Sequence, residues 1–279
     1  MNKIKRLIVF TVAAAACGTV AVTLGGCAKK QDLSGEMSYV QWGTEYGVKV
    51  NVQIQSDNKG DRIRKVTVAD SDYVSASPAM NGWDPKVWNN GLQTLLNAYR
   101  GKYVADVLAA EVVTNGEGAP LVKGDEGFVN YGDDLLITGA TLGSGRLLIA
   151  VQNALKTLDG YKVAEGEYTY NAWGTDYGER VRVVLKDGKI EKVATLSCPY
   201  VNASITASWD AGLWLNAENG ILAAYEGKTV EEVLAATSSL SGVDGASENT
   251  VSDGSVLVTG ATMSSARLLK AVQNALSKV

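Results

Sequence analysis

The chain contains no histidine at all, and only three cysteines, four prolines and two phenylalanines among its 279 residues. Without histidine there is no histidine-based catalytic triad, no ordinary zinc hydrolase centre and no His-ligated haem. Cys17, Cys27 and Cys198 form no CxxC or CxxCH pattern, so iron–sulfur clusters and attached haem are excluded as well. A protein with this inventory handles electrons only by carrying an organic cofactor. The remaining composition is ordinarily globular, with 46% hydrophobic and 20% charged residues and 30 glycines. That suffices for one large core or two smaller ones.

The N-terminus reads as a targeting segment. Lys3, Lys5 and Arg6 precede an apolar run over 7–24, which ends in Leu24-Gly25-Gly26-Cys27. This ending resembles a bacterial lipoprotein lipobox. The resemblance implies cleavage before Cys27 and attachment of fatty-acyl chains, palmitate among them, to the new N-terminus, with 1–26 as signal peptide. The other reading is an uncleaved span, but the run is at the lower length limit and rich in Ala and Gly. Acyl chains would hold the protein on the outer face of the cell membrane. Residues 27–37 are expected to be a tether. Loss of 1–26 removes three cations and no acid, leaving 23 cations against 30 acids, a net charge of −7. An acidic surface argues against nucleic acid as a partner. Cys198 is then the one free thiol, expected as a buried small hydrophobe.

The chain also repeats itself, and this decides the domain reading. Trp42-Gly43-Thr44-Glu45-Tyr46-Gly47 returns as Trp173-Gly174-Thr175-Asp176-Tyr177-Gly178. Trp83-Asp84 with Trp88 returns as Trp209-Asp210 with Trp214, and Ala98-Tyr99-Arg100-Gly101-Lys102 as Ala224-Tyr225-Glu226-Gly227-Lys228. From 138 to 155, 14 of 18 positions are identical with 259–276. Each unit starts with alternating stretches (48–54 and 63–68; 181–185 and 190–196), the second pair joined by the hairpin signal Asp187-Gly188. Helices are expected over 85–99 and 213–225, stopping at Gly101 and Gly227, then over 104–111 and 229–235, where Thr229 reads as an N-cap. A short apolar strand (135–138, 256–259), a Gly-Ala turn and a terminal helix with i, i+3, i+4 leucines close each unit. The expected fold class is α+β, two repeated domains over 38–158 and 167–279, each an antiparallel sheet packed by helices, with 159–167 as linker.

The closing turn is the chemical candidate. Gly139 permits a sharp turn and close approach of a ligand, and Thr141 opens the helix. Free N–H groups and the positive end of the helix dipole suit a phosphate there. Ser144 and Arg146 add a hydroxyl and a cation one turn on, and the second unit carries Gly260, Thr262, Ser264, Ser265 and Arg267 in the same order. A plain helix N-cap role for both threonines is the alternative.

At Thr138-Gly139-Ala140-Thr141 with Ser144, and Thr259-Gly260-Ala261-Thr262 with Ser265, the sequence resembles the FMN-binding domain family. That family includes the flavin-bearing extracytoplasmic subunits of sodium-pumping NADH:quinone oxidoreductases and of Rnf complexes. The Tyr-x-Gly-Lys block before a helix is similar too. The resemblance implies two FMN groups, each held through its phosphate on Thr141 or Thr262 after transfer from FAD by a flavin transferase. The family carries Asp six residues before that Thr; here Leu135 and Val256 stand there, with Asp134 and Asp253 further out. Trp42 and Trp173 are candidates to cover the flavin ring, with Tyr46, Trp83 and Trp88 and their counterparts behind them. The implied role is an electron carrier rather than a catalyst with a substrate of its own. Its donor would be a membrane quinone-linked NADH dehydrogenase system and its acceptor would lie outside the cell. The competing expectation is a surface lipoprotein that binds a small ligand or peptide without flavin.

Overall fold

The computed structural model describes residues 29–41, 44–71, 85–172, 175–197, 221–240, 249–251 and 262–279. The signal segment, Cys27, Cys198, both Trp42 and Trp173, and Thr259, Gly260 and Ala261 lie outside them, as do the side chains of Trp88 and Thr262.

The first alternating stretch becomes a three-stranded antiparallel sheet: β1 (Lys29–Gln41), β2 (Thr44–Asp57) and β3 (Gly60–Ser71), in that order. Val48, Val50, Val52 and Ile54 point to one face and are buried, while Lys49, Asn51 and Gln53 face the other way. Helix α1 (Pro85–Ala98) follows and then α2 (Val104–Ala109). A 3-10 turn (Asp133–Leu135) and α3 (Thr141–Leu155) complete the N-terminal half. The C-terminal half begins with β4 (Tyr161–Ala172), β5 (Thr175–Lys186) and β6 (Lys189–Thr195), again antiparallel and in order. It continues with α4 (Val230–Ala235), a small β7 (Ser238–Leu240) and β8 (Asn249–Val251) ladder, and α5 (Thr262–Leu276). The class is α+β. No helix among the described residues is long and apolar enough to cross a membrane.

Local signals explain much of this. Asp187 (φ 50°) and Gly188 (φ 79°) both take positive φ between β5 and β6, the two-residue turn that an Asp-Gly pair favours. Thr229 caps α4 in a reciprocal box, its hydroxyl accepting the Glu232 N–H at 3.2 Å while the Glu232 carboxylate accepts the Thr229 N–H at 2.7 Å. The leucines of α3 and α5 (Leu147, Leu148 and Leu155; Leu268, Leu269 and Leu276) are buried, as their spacing required.

Three expectations fail. Residues 29–37 of the supposed tether are strand, because Leu33 and Met37 alternate into the core and the register against β2 runs on to Lys29. Most of the supposed linker at 159–167 is strand as well: β4 starts at Tyr161, with Tyr161 and Ala164 buried. The short strand expected over 135–138 is a 3-10 turn followed by a β-turn; no strand among the described residues pairs with it, and the Ile137 N–H goes to a side chain instead. Its counterpart at 256–259 falls outside the described residues.

Matching contacts recur in the two halves. Gly35 lies so close to α3 that a Cβ would sit 2.3 Å from the Ala150 carbonyl oxygen and the Ala154 nitrogen; a Cβ on Gly166 would sit 2.1 and 2.3 Å from the Ala271 carbonyl oxygen and the Ala275 nitrogen of α5. Asn153 donates to the Glu36 carbonyl and Asn274 to the Glu167 carbonyl. Gln152 donates to the carbonyls of Val107 and Ala110, Gln273 to those of Val233 and Ala236.

The halves meet through α2, which lies on the outer face of the β4–β5–β6 sheet. Val184 of that sheet belongs to the same buried apolar cluster as Leu108, with Val163 and Ala194 packed against it. Around this patch runs a polar network. Glu165 accepts from Arg180 at 2.7 Å and from Arg182 at 2.7 and 3.0 Å, and Arg182 Nη1 donates to the Ala110 carbonyl. Glu111 accepts from Arg180 at 3.2 Å and from the Ser197 N–H at 2.6 Å.

Candidate functional site

The turn before α3 is built from the chain upward. The Ala140 N–H donates to the Ile137 carbonyl at 2.9 Å, closing a four-residue turn whose third residue, Gly139, has φ 84°. Glycine takes that conformation without strain, which accounts for its place in the turn. Ala140 stands at the N-cap with no side chain of its own able to cap. The turn itself, Thr138 and Gly139, is exposed, whereas Ala140 is buried.

Thr141 is the first residue of α3, as expected, and is 7% exposed. Its carbonyl accepts from the Tyr131 hydroxyl at 3.1 Å. Burial pushes the Tyr131 phenol well up, so it stays a donor at every working pH. Sequence reasoning missed Tyr131; the run Tyr131-Gly132-Asp133-Asp134 was the available signal, with Gly132 at φ 118° turning the chain into the 3-10 segment.

Ser144 does something other than expected. Its hydroxyl is fully buried, accepts the Ile137 N–H at 2.9 Å and donates to the Ala140 carbonyl at 3.0 Å. Both of those bonds stay inside the turn, so Ser144 braces the loop and is not turned toward a surface ligand. Ser265, its counterpart, is buried as well. Arg146 departs in the same way. It is 1% exposed, with its guanidinium carbon 5.1 Å from the Tyr39 ring centre and 5.8 Å from that of Tyr46. Those two rings stack across the β1–β2 pair at 5.4 Å. The cation faces the sheet and does not reach out from the helix end.

The structure nevertheless brings three of the four repeated blocks together. Tyr46 of the first block sits against α3 through Arg146. Tyr99 of the Ala98–Lys102 block is wholly buried, and its hydroxyl finds no hydrogen-bond partner among the described residues. Lys102 of the same block pairs with Asp134 at 2.6 Å, just upstream of the turn. Leu135, six residues before Thr141, is buried apolar surface, and the neighbouring Asp134 is occupied by Lys102. In the second half α5 begins at Thr262 as expected, and Arg267 and Ser265 are buried like their counterparts. No group of His, Cys, Asp and Glu among the described residues could hold a metal ion.

The exposed part of this helix start, the Thr138–Gly139 turn, keeps Cβ atoms away and leaves room for a phosphoryl group beside the helix end. Compared with protein-family models, curated proteins and solved structures, the chain matches none.

Proposed function

We propose that the chain is two copies of one α+β domain in a membrane-anchored extracytoplasmic lipoprotein, and that each copy carries FMN through its phosphate at the start of its last helix. The observation that supports this best is Thr141 at the first position of α3, with Ala140 at the N-cap and the positive-φ Gly139 before it, in a turn whose sequence returns at Thr259-Gly260-Ala261-Thr262. A helix that needs only an N-cap ordinarily has the capping residue outside the helix with its side chain on a backbone N–H. Here the threonine lies one position inside, and Ala140 holds the cap position. The matching contacts of the two halves support the duplication.

In this reading the exposed Thr138–Gly139 turn lets the phosphate approach the helix start, and the Thr141 and Thr262 hydroxyls would each lose a proton and form a phosphoester with the flavin-side phosphate of FAD as its pyrophosphate bond breaks and AMP leaves. Thr141 is nearly enclosed, so the transferase acts with the turn opened. Ser144 and Tyr131 hold the turn and the first helical carbonyl in place. Bound FMN supplies the one- and two-electron chemistry that the side chains of this chain lack. The lipid on Cys27 keeps the carrier beside a membrane quinone-linked NADH dehydrogenase system as donor, with the acceptor outside.

The test is protein co-expressed with a flavin transferase, denatured and scanned for flavin fluorescence, with intact mass to count FMN groups. Two increments are expected in the native sequence, one each in Thr141→Val and Thr262→Val, and none in the double variant. Colourless protein of unmodified mass would overturn the flavin reading and leave the ligand-binding lipoprotein as its rival.

A further inference from the structure

Cys27, the residue that the proposed function joins to lipid, stands two positions before Lys29, the first residue of β1. Two peptide units reach at most about 8 Å. The stretch expected to be a tether is therefore too short to act as one, and an anchor on Cys27 holds the near end of β1 at the bilayer surface. Strand register decides what else lies at that end.

Lys29 and Lys30 pair with Ser56 and Gln55, and these pair with Asp61 and Arg62. So the turn between β2 and β3, with exposed Lys59, sits at the anchored end. Tyr103 is there as well. It bridges to Arg62, whose guanidinium carbon lies 4.5 Å from the centre of its ring. In the described part of the N-terminal half the large hydrophobic residues left exposed are Val40 and Tyr103, and Tyr103 is the one at this end. A phenol beside a cation, apolar in its body and polar at its tip, suits the headgroup layer. Charges of both signs meet there, Lys29, Lys30, Lys59 and Arg62 with Asp57 and Glu191. The anchor and Tyr103, and not net charge, make this end fit a membrane.

The candidate phosphate site lies at the other end. Helix α3 runs antiparallel to β1: Ala150 and Ala154 meet Gly35, Asn153 donates to the Glu36 carbonyl, and Arg146 lies over Tyr39. Helix numbers fall as strand numbers rise, so Thr141 lies beyond Arg146, toward the Gln41 end of the strand. At about 3.3 Å per strand residue, the Thr138–Thr141 turn is roughly 25–30 Å from Lys29. In the C-terminal half α5 lies along β4 in the same sense, with Ala271 and Ala275 at Gly166. It too starts at the end of its sheet remote from Tyr161, and Tyr161 meets Asp61 at the anchored end.

We infer that the start of β1, the β2–β3 turn and Tyr103 form the membrane-facing surface of the molecule, seated on lipid headgroups, and that the Thr138–Thr141 turn opens on the aqueous side. The inference rests on the lipid anchor of the proposed function. A group held at Thr141 is then out of contact with anything dissolved in the bilayer. Its partner stands in water, and a membrane-borne donor meets it only through a part that projects well above the surface.

The mature acylated chain on phosphatidylcholine vesicles with acceptor dye on the headgroups tests this. Donor dye is placed on Lys59→Cys, at the anchored end, or on Val40→Cys, at the far end, in a Cys198→Ala background; both positions are exposed. Energy transfer about fivefold weaker from position 40 than from position 59 is expected from an offset of roughly 30 Å. Equal transfer from the two positions, or stronger transfer from position 40, in a chain whose mass shows the acyl groups overturns the inference and leaves the lipoprotein reading standing. A chain that carries no acyl mass and does not float with the vesicles overturns both.

Discussion

Arg146 lies 5.1 Å over the ring of Tyr39, and together with the Tyr39–Tyr46 stack it joins the final helix of the N-terminal half to its first hairpin. The residue is almost wholly buried, and the aromatic faces supply part of the electrostatic compensation a buried cation needs. Arg146→Ala leaves a cavity between α3 and the sheet. A loss of roughly 2–5 kcal/mol, the range for large-to-small core changes, is expected in urea unfolding. If Arg146 instead served only a surface anion, stability would hardly change.

Ser144→Ala tests the bracing of the turn. The variant deprives the Ile137 N–H of its acceptor and costs about 1–3 kcal/mol if that group stays dry. Covalent flavin, measured as the ratio of modified to unmodified mass, is expected to fall while Thr141 is intact. Full modification at native stability would show that the hydroxyl is dispensable.

Gly35→Ala and Gly166→Ala probe the close approach of helix to sheet. Each added Cβ meets backbone atoms, which cannot rotate away as a side chain does. Each change is expected to lower stability by about 1–3 kcal/mol or more, to a similar degree because the two contacts are built alike. A variant as stable as the parent would mean that the helix lifts freely off the strand.

Acid is expected to loosen the contact between the halves. At Asp61 burial disfavours the charged form, but hydrogen bonds from Lys186, Ser56 and Tyr161 outweigh it and hold the carboxyl below its usual range. At Glu165 burial is likewise outweighed by Arg182 and Arg180. A carboxylate with its pKa lowered on folding stabilises the protein above its unfolded value, roughly pH 4, and loses that contribution as pH falls through the folded value. Asp61 accepts from Tyr161 at 3.0 Å and meets Lys186 at 2.8 Å, both from the other half. Stability should therefore hold from neutral to about pH 5 and decline below about pH 4, and Asp61→Asn should flatten part of that decline. An unchanged acid slope in the variant would remove Asp61 from the account.

What could be read from residues alone was local. The Asp187-Gly188 turn, the Thr229 cap, the buried faces of α3 and α5 and the position of Thr141 depend on neighbours a few residues away, and the sequence states those neighbours. The extent of β1 and β4 was misjudged because polar residues such as Lys29, Lys30 and Lys162 hide an alternation that only pairing with β2 or β5 makes decisive. Ser144 and Arg146 were assigned to a ligand because their spacing fits a helix end. Their directions are set by Ile137 and by the Tyr39–Tyr46 stack, neither of which spacing reveals.

The recurrence of blocks is a property of the sequence, and among the described residues each half has a three-stranded antiparallel sheet and a closing fifteen-residue helix to go with them. Tertiary structure decided that Leu108 is covered and Leu234 is not, although the two occupy the same place in similar helices, Val-Ala-Asp-Val-Leu-Ala and Val-Glu-Glu-Val-Leu-Ala. Burial comes from what packs against a residue: α2 has the β4–β5–β6 sheet beside it and loses its water, whereas Leu234 of α4 keeps it.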